Sequence, residues 1–161
     1  MKVLVTGGTG YIGGALLPAL LQRGHEIVGL ARQLPEATTH GVTWIPCDLA
    51  ATLPELPAVD AIFHLAQANV PVPQESEMMY QVNTCSTLRL LEHARRCGAK
   101  RFLLASTGNV YGWGSRPFVE GDPLRPQRLY PTTKVNAENL VRVYQEHFST
   151  AILRMPCTLA R

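Results

Sequence analysis

The sequence predicts an α/β domain: a doubly wound parallel sheet of strand order 3-2-1-4-5-6, with helices on both faces. Three observations carry that prediction. Six short β-rich apolar runs alternate with helical stretches or loops, the pattern of βαβ units whose strands run parallel. A glycine cluster, Gly7-Gly8-Thr9-Gly10-Tyr11-Ile12-Gly13, separates the first apolar run from the first helical one. The 161 residues, 46% of them hydrophobic, fit one domain with enough apolar surface to cover both faces of a sheet.

The elements follow in order. Lys2-Val3-Leu4-Val5-Thr6 is a run suited to a strand buried on both faces. Tyr11 to Arg23 shows helical spacing, with Ile12, Ala15, Leu16, Ala19 and Leu20 on one side. Gly24 stops this helix, and Pro18 inside it is expected to bend it. Glu26 to Ala31 reads as the second strand and Val42 to Pro46 as the third. Ala50 to Pro57 is too broken by proline for a long helix. Val59 to Ala66 is the fourth strand, and Glu75 to Cys97 a long helical stretch closed by Gly98. Arg101 to Ser106 is the fifth strand. Gly108 to Leu129, rich in Gly and Pro, reads as an ordered loop. Tyr130 to Phe148 is the next long helix, and Thr150 to Arg154 the sixth strand. No repeat, linker or low-complexity segment interrupts the chain.

The glycine cluster satisfies G-x-G-x-x-G through Gly8, Gly10 and Gly13, and G-x-x-G-x-x-G through Gly7, Gly10 and Gly13. Such a turn needs a residue free of Cβ constraints, bare backbone for a pyrophosphate to approach, and close helix–strand packing. The helix that opens at Tyr11 and Ile12 supplies N–H donors and a positive dipole end for phosphates. The strand–turn–helix context makes this a dinucleotide-binding signature. About 20 residues further on, where an acidic residue for the adenosine ribose is usual, the chain carries Arg32. An arginine there can pair with a 2′-phosphate, which leans toward NADP. Read instead as an exposed strand-end residue, Arg32 leaves NAD open.

Further motifs occur in a fixed order: CDL at Cys47 to Leu49, HLA at His64 to Ala66, STGNVYG at Ser106 to Gly112, and YPTTK at Tyr130 to Lys134. With TGGTGYIGG at the start, the sequence resembles an extended short-chain dehydrogenase/reductase of the NAD-dependent epimerase/dehydratase family over essentially its whole length. The resemblance implies a Rossmann-type fold and assigns roles. Asp48 and Leu49 would contact adenine. Leu65, Ala66 and Gln67 would line the cofactor path, and Asn83 would help hold the active-site geometry. His64 matches a strand-end histidine of the family, for which packing and catalysis are equally open reasons. Thr107 would be the catalytic Ser/Thr, and Tyr130 and Lys134 the Tyr-x-x-x-Lys pair.

The physics of that pair stands beside the family. Residues four apart on a helix share a face. A free tyrosine titrates near pH 10, and a neighbouring ammonium is expected to lower that value. Tyr130 would then exchange a proton with an alcohol or carbonyl while hydride moves to or from nicotinamide. Lys134 would also hydrogen-bond the nicotinamide ribose. Thr107, at the end of a parallel strand, lies where such sheets bind ligands.

Two departures narrow the chemistry. Dehydratases of the family carry Asp-Glu after the catalytic threonine, and this chain carries Gly108-Asn109. That disfavours dehydration and leaves an epimerase or reductase acting on a small-molecule substrate such as a nucleotide sugar. Extended members also continue into a substrate-binding domain. The 161 residues correspond to the dinucleotide-binding domain, with that second lobe largely absent. A non-catalytic or truncated NAD(P)-binding module is therefore the competing reading. An apolar surface meant for the missing lobe would make a homodimer plausible.

Composition excludes other classes. The net charge is +3, and the basic residues are scattered in short pairs such as Arg95-Arg96 and Lys100-Arg101. This is a poor nucleic-acid footprint. No apolar run approaches membrane-spanning length, and a strand starting at Lys2 leaves no room for a signal peptide. The expectation is a cytoplasmic protein with no membrane partner. Cys47, Cys85, Cys97 and Cys157 form no C-x-x-C pair and read as free thiols in a reducing compartment. His93 and Cys97 lie one turn apart without further ligands nearby, so the pair reads as structural and no metal site is expected.

Overall fold

A computed structural model describes residues 1–35 and 41–156 of the chain. Six strands form one all-parallel sheet: β1 (Lys2–Thr6), β2 (Glu26–Ala31), β3 (Val42–Pro46), β4 (Ala61–His64), β5 (Arg101–Thr107) and β6 (Ser149–Met155). Their order is β3-β2-β1-β4-β5-β6, as the sequence predicts. The order reverses direction between β1 and β4, and Thr6 and His64 lie side by side at the carboxyl ends of those strands. That is the crevice where doubly wound sheets take ligands.

Alternation along the strands splits the core. Val3, Val5, Ile27 and Ala61 pack with Leu17 and Leu20 of α1 (Tyr11–Gln22) on one face. Leu4, Ile62, Phe102 and Leu104 face the other side, under α3 (Ser86–Cys97) and α4 (Leu129–Val143). The side of α1 that meets the sheet is Gly13, Leu17 and Leu20, whereas Ala15 and Ala19 are exposed. The predicted stripe is thus rotated, because Gly13 must sit closest to the strand. The helix is assigned without a break through the exposed Pro18. It ends in a Schellman motif: His25 N donates to Leu20 O, Gly24 N donates to Leu21 O, and Gly24 takes φ +72°.

Other boundaries move. β4 is shorter than the Val59–Ala66 run, because Leu65 and Ala66 leave the ladder to meet the glycine turn. The Glu75–Cys97 stretch is helical but not uniform. It runs as α2 (Ser76–Tyr80), a π-helical turn (Gln81–Cys85) and α3. A 3-10 turn (Gly108–Tyr111) opens the loop after β5. α4 closes at Val143, with a 3-10 turn following, so it stops short of Phe148. Among the described residues no helix is long and apolar enough to cross a membrane. Cys47, Cys85 and Cys97 are free thiols, and Cys157 lies outside the described residues.

Candidate active site

The glycine turn is built by backbone contact. Gly7 has φ +71°, and a Cβ there would lie 2.6 Å from Ala66 N. A Cβ on Gly13 would lie 2.3 Å from Gly7 O and 2.5 Å from Gly8 Cα. No real Cβ survives such distances to backbone, so only glycine closes this strand–turn–helix. Gly10 N donates to Gly7 O at 3.1 Å, and no side chain caps the start of α1. Its first N–H groups therefore remain free for an anion.

In front of the turn lies a crevice of about 670 Å³. Gly7, Gly10, Tyr11 and Ile12 form its floor, with Ala31 at the end of β2, Arg32 just beyond it, and Cys47, Asp48 and Leu49 beyond β3. Leu65, Ala66 and Gln67 form the wall after β4. Asp48 spends one carboxylate oxygen, Oδ1, on Ala50 N at 2.9 Å. Of the residues predicted to hold cofactor, Gly13, Asn83 and Lys134 are buried and do not line this crevice, and Tyr130 lines a different cavity. Sequence reasoning missed Met78 and Val82, which also line the crevice. Their i,i+4 spacing was the available signal, but the π turn decides where they face.

A second cavity of about 320 Å³ adjoins the first through shared Asn69 and Val70. Tyr130 lines it, with Val72, Met79, Trp113, Leu129 and Pro131 as apolar wall and Asn109, Gln127 and Arg128 as polar groups. Among the described residues no carboxylate lines it.

The buried groups behind these cavities form one polar network. His64 has no exposed surface. Its Nδ1 lies 2.7 Å from Thr6 Oγ1, and its Nε2 lies 3.1 Å from Thr87 Oγ1. The Thr87 and Ser86 hydroxyls donate to Asn83 O and Val82 O. This assigns the proton to Nε2 and makes Nδ1 the acceptor from Thr6. Burial, aided by Lys134, pulls the imidazole down to about 3, so His64 is neutral and structural. Asn83 accepts from Ala68 N at 2.7 Å, and its Nδ2 donates to Ala68 O at 2.8 Å and to Thr133 Oγ1 at 3.0 Å. The π turn thereby fixes the crevice wall to α4.

Tyr130 donates from its hydroxyl to Gln67 Oε1 at 2.5 Å. Its phenol is pushed above the usual value by burial, against hydrogen bonding with Thr107 and Gln67. The sequence-based expectation that Lys134 lowers it is therefore corrected for the free protein: desolvation of the phenolate outweighs stabilisation. Lys134 is fully buried, its Nζ has no hydrogen-bond partner among the described residues, and burial lowers its ammonium to about 8. A buried, unpartnered ammonium and a crevice floored by bare glycine backbone together suit a dinucleotide, whose ribose hydroxyls would complete the bonding of Lys134. His93 and Cys97 do not meet as a pair: His93 Nε2 bonds Pro57 O, and Cys97 Sγ bonds Val59 O and Ala94 O. Among the described residues no cluster suited to a metal occurs.

Residues 3–160 match the model of the NAD dependent epimerase/dehydratase family. The chain belongs to this family. Within it, the chain is 31% identical to a UDP-glucose 4-epimerase of Erwinia amylovora, across 96% of this chain and 52% of that protein. It is 36% identical to a 2-alkyl-3-oxoalkanoate reductase of Stenotrophomonas maltophilia, across 75% of this chain and 37% of that one. The solved structure of MoeE5 in complex with UDP-glucuronic acid and NAD superposes with a TM-score of 0.84 at 30% identity, covering 96% of this chain and 54% of that one. The chain thus spans about half the length of the Erwinia epimerase and of MoeE5, and less of the reductase.

Proposed function

We propose that this protein binds a nicotinamide dinucleotide across the β1/β4 crevice and acts as an oxidoreductase or epimerase on a nucleotide sugar or similar carbonyl/alcohol substrate. The observation that carries the reading is the meeting of the two cavities at Asn69 and Val70, with Tyr130 lining the smaller one, the Thr107 hydroxyl beside Tyr130, and Lys134 buried one helical turn further along α4. The bound nicotinamide would supply hydride exchange at a substrate carbon. The chain's own groups handle the oxygen. Tyr130 holds its proton in the free protein and gives it to a carbonyl oxygen, or takes one from an alcohol once the phenolate is stabilised. Thr107 orients that oxygen, and Gln67 holds the phenol until substrate displaces it. Lys134 anchors the ribose. With Gly108 and Asn109 after Thr107, and no carboxylate among the described residues lining the smaller cavity, the reading favours epimerase or reductase chemistry over elimination of water.

The names of the relatives support a UDP-sugar. The apolar wall of Val70, Val72, Met79 and Trp113 also accommodates a less polar carbonyl compound, the class that the reductase relative's name indicates. Self-association into a homodimer belongs to the same reading and is checked by sedimentation. For cofactor choice, Arg32 at the crevice rim beyond β2 favours a 2′-phosphate and hence NADP over NAD. Losing that charge-assisted pair should weaken NADP binding by about 1.5–3 kcal/mol. Titration calorimetry with both dinucleotides on the natural protein and Arg32→Ala tests this. Equal affinities in the unsubstituted protein discard the preference. The chemical reading is tested with nucleotide sugars and carbonyl compounds. Tyr130→Phe should remove most turnover while leaving dinucleotide affinity within about twofold. Tight dinucleotide binding without turnover by the full-length protein would favour a non-catalytic module instead.

A further inference from the structure

Glu138 is a fully buried carboxylate one helical turn beyond Lys134, and no step of the proposed chemistry uses it. Three elements converge on it. Ser106 Oγ, one residue before Thr107, donates to its Oε1 at 2.6 Å. Arg154 Nε and Nη2, from the carboxyl end of β6, donate to it at 3.1 and 2.7 Å. Arg142 Nη2, from the next turn of α4, reaches Oε2 at 3.0 Å. Arg154 extends the network into the loop after β5. Its Nη1 donates to Tyr111 Oη at 2.7 Å and Glu120 O at 3.0 Å, and its guanidinium lies 5.0 Å over the Tyr111 ring.

We propose that Glu138 is a positioning residue. Its ionised carboxylate locks the Thr107 strand end, the Tyr130–Lys134 helix and the end of β6 into one arrangement, and it supplies the negative field that holds the Lys134 side chain as an ammonium. The inference rests on the assignment of Lys134 to the dinucleotide. Burying a carboxylate is costly unless charged donors surround it, and here two guanidinium groups and a hydroxyl do so. Burial works against ionisation of Glu138, but Arg154 and Ser106 hold the carboxyl below its usual value. The titratable groups nearest Lys134 along its own helix are Tyr130 one turn before it and Glu138 one turn after it, and His64 faces it from the end of β4. His64 and the Tyr130 phenol are neutral in the free protein, and the Glu138 carboxylate favours the ammonium against its burial. A carboxylate serving only to join three elements would be replaceable by any group that keeps those contacts. One serving Lys134 is not.

The protein has three lysines, Lys2, Lys100 and Lys134, so the side-chain resonances of a lysine-labelled sample form a small spectrum. Lys134→Met identifies the buried one. In Glu138→Gln, which keeps the acceptor for Ser106 but removes the charge, the Lys134 titration should move down by about one pH unit, the size expected for losing an adjacent opposite charge. An unchanged Lys134 titration in folded Glu138→Gln overturns the proposal. Should that variant fail to fold, Arg142→Gln takes its place, since the Arg142 side chain is 40% exposed. With one counter-charge gone and Arg154 still holding Glu138 ionised, Lys134 should titrate higher, and no upward shift overturns the proposal. Both readouts are made without nucleotide. The separate reading that Lys134 holds the dinucleotide fails only if Lys134→Met binds it as tightly as the natural protein.

Discussion

His64 shows how one residue can be legible as a letter and opaque as a role. Its place at a strand end suggested either packing or catalysis. The structure gives it no exposed surface and hydroxyl partners from β1 and α3. The consequence is a pH dependence with a definite sign. The folded value, about 3, lies below the ordinary 6.5, so between these two the unfolded chain binds the proton and the folded one refuses it. Stability from this group is complete above 6.5 and is lost progressively as pH falls toward 3. By pH 5 the loss is about 2 kcal/mol. Urea unfolding at pH 7.5 and pH 5 measures it. His93, also lowered by burial, adds in the same direction, so the share due to His64 is the part that disappears in His64→Gln. Equal midpoints at the two pH values would refute the assignment. Tyr130 teaches the complementary lesson: its spacing from Lys134 was readable, but the burial that raises its phenol is a property of the assembled cavity.

At the scale of elements, strands were legible because a parallel sheet buried on both faces needs continuous apolar runs. β1 and β2 fall where those runs fall, and the edge strand β3, only half-buried, is found at its predicted residues as well. The helices were less legible. Nothing in Gln81–Cys85 announces a π turn, because the extra residue per turn is accommodated by Asn83 and Thr84 bonding α4, which are contacts distant in sequence. The glycine turn was readable in type, yet its neighbours differ sharply. Gly13 has backbone within 2.5 Å of any added Cβ, while Gly14 has nothing within 4 Å. Gly13→Ala should therefore break the turn, abolish dinucleotide binding and destabilise the domain by about 3 kcal/mol or more. Gly14→Ala, exposed in the same helix, should stabilise by about 0.5–1 kcal/mol with affinity unchanged. Thermal melts and calorimetry on the pair check both. A folded Gly13→Ala protein that still binds would contradict the geometry described.

For the whole molecule, the two cavities divide the work unequally. The larger crevice is walled by β-strand ends, the glycine turn, the Leu65–Val70 segment, and Met78 and Val82 of the following helical stretch. The smaller one is bounded on one side by the loop after β5, with Trp113 79% exposed at its rim. Holding a substrate in place can account for about 7–11 kcal/mol of a barrier. The 161-residue chain by itself is thus expected to bind dinucleotide but to turn substrate over poorly, measured as NAD(P)H formation or consumption under saturating cofactor. Robust steady-state turnover by a purified monomer would show that the loop from Gly112 to Arg128 forms a sufficient pocket on its own.

The contact between Trp44 and the glycine turn has a practical consequence. The indole of Trp44 lies across Gly29, its partner on the neighbouring strand, and reaches Gly8 in the turn itself. Only one other tryptophan, Trp113, exists in the chain, and it stands at the opposite cavity. Each site therefore carries its own fluorophore. In Trp113→Phe the remaining emission comes from beside the glycine turn, and in Trp44→Phe from the rim of the smaller cavity. Two single-tryptophan proteins would thus report dinucleotide docking and substrate docking as separate optical signals, so the order in which the two ligands arrive can be followed in real time without any attached label.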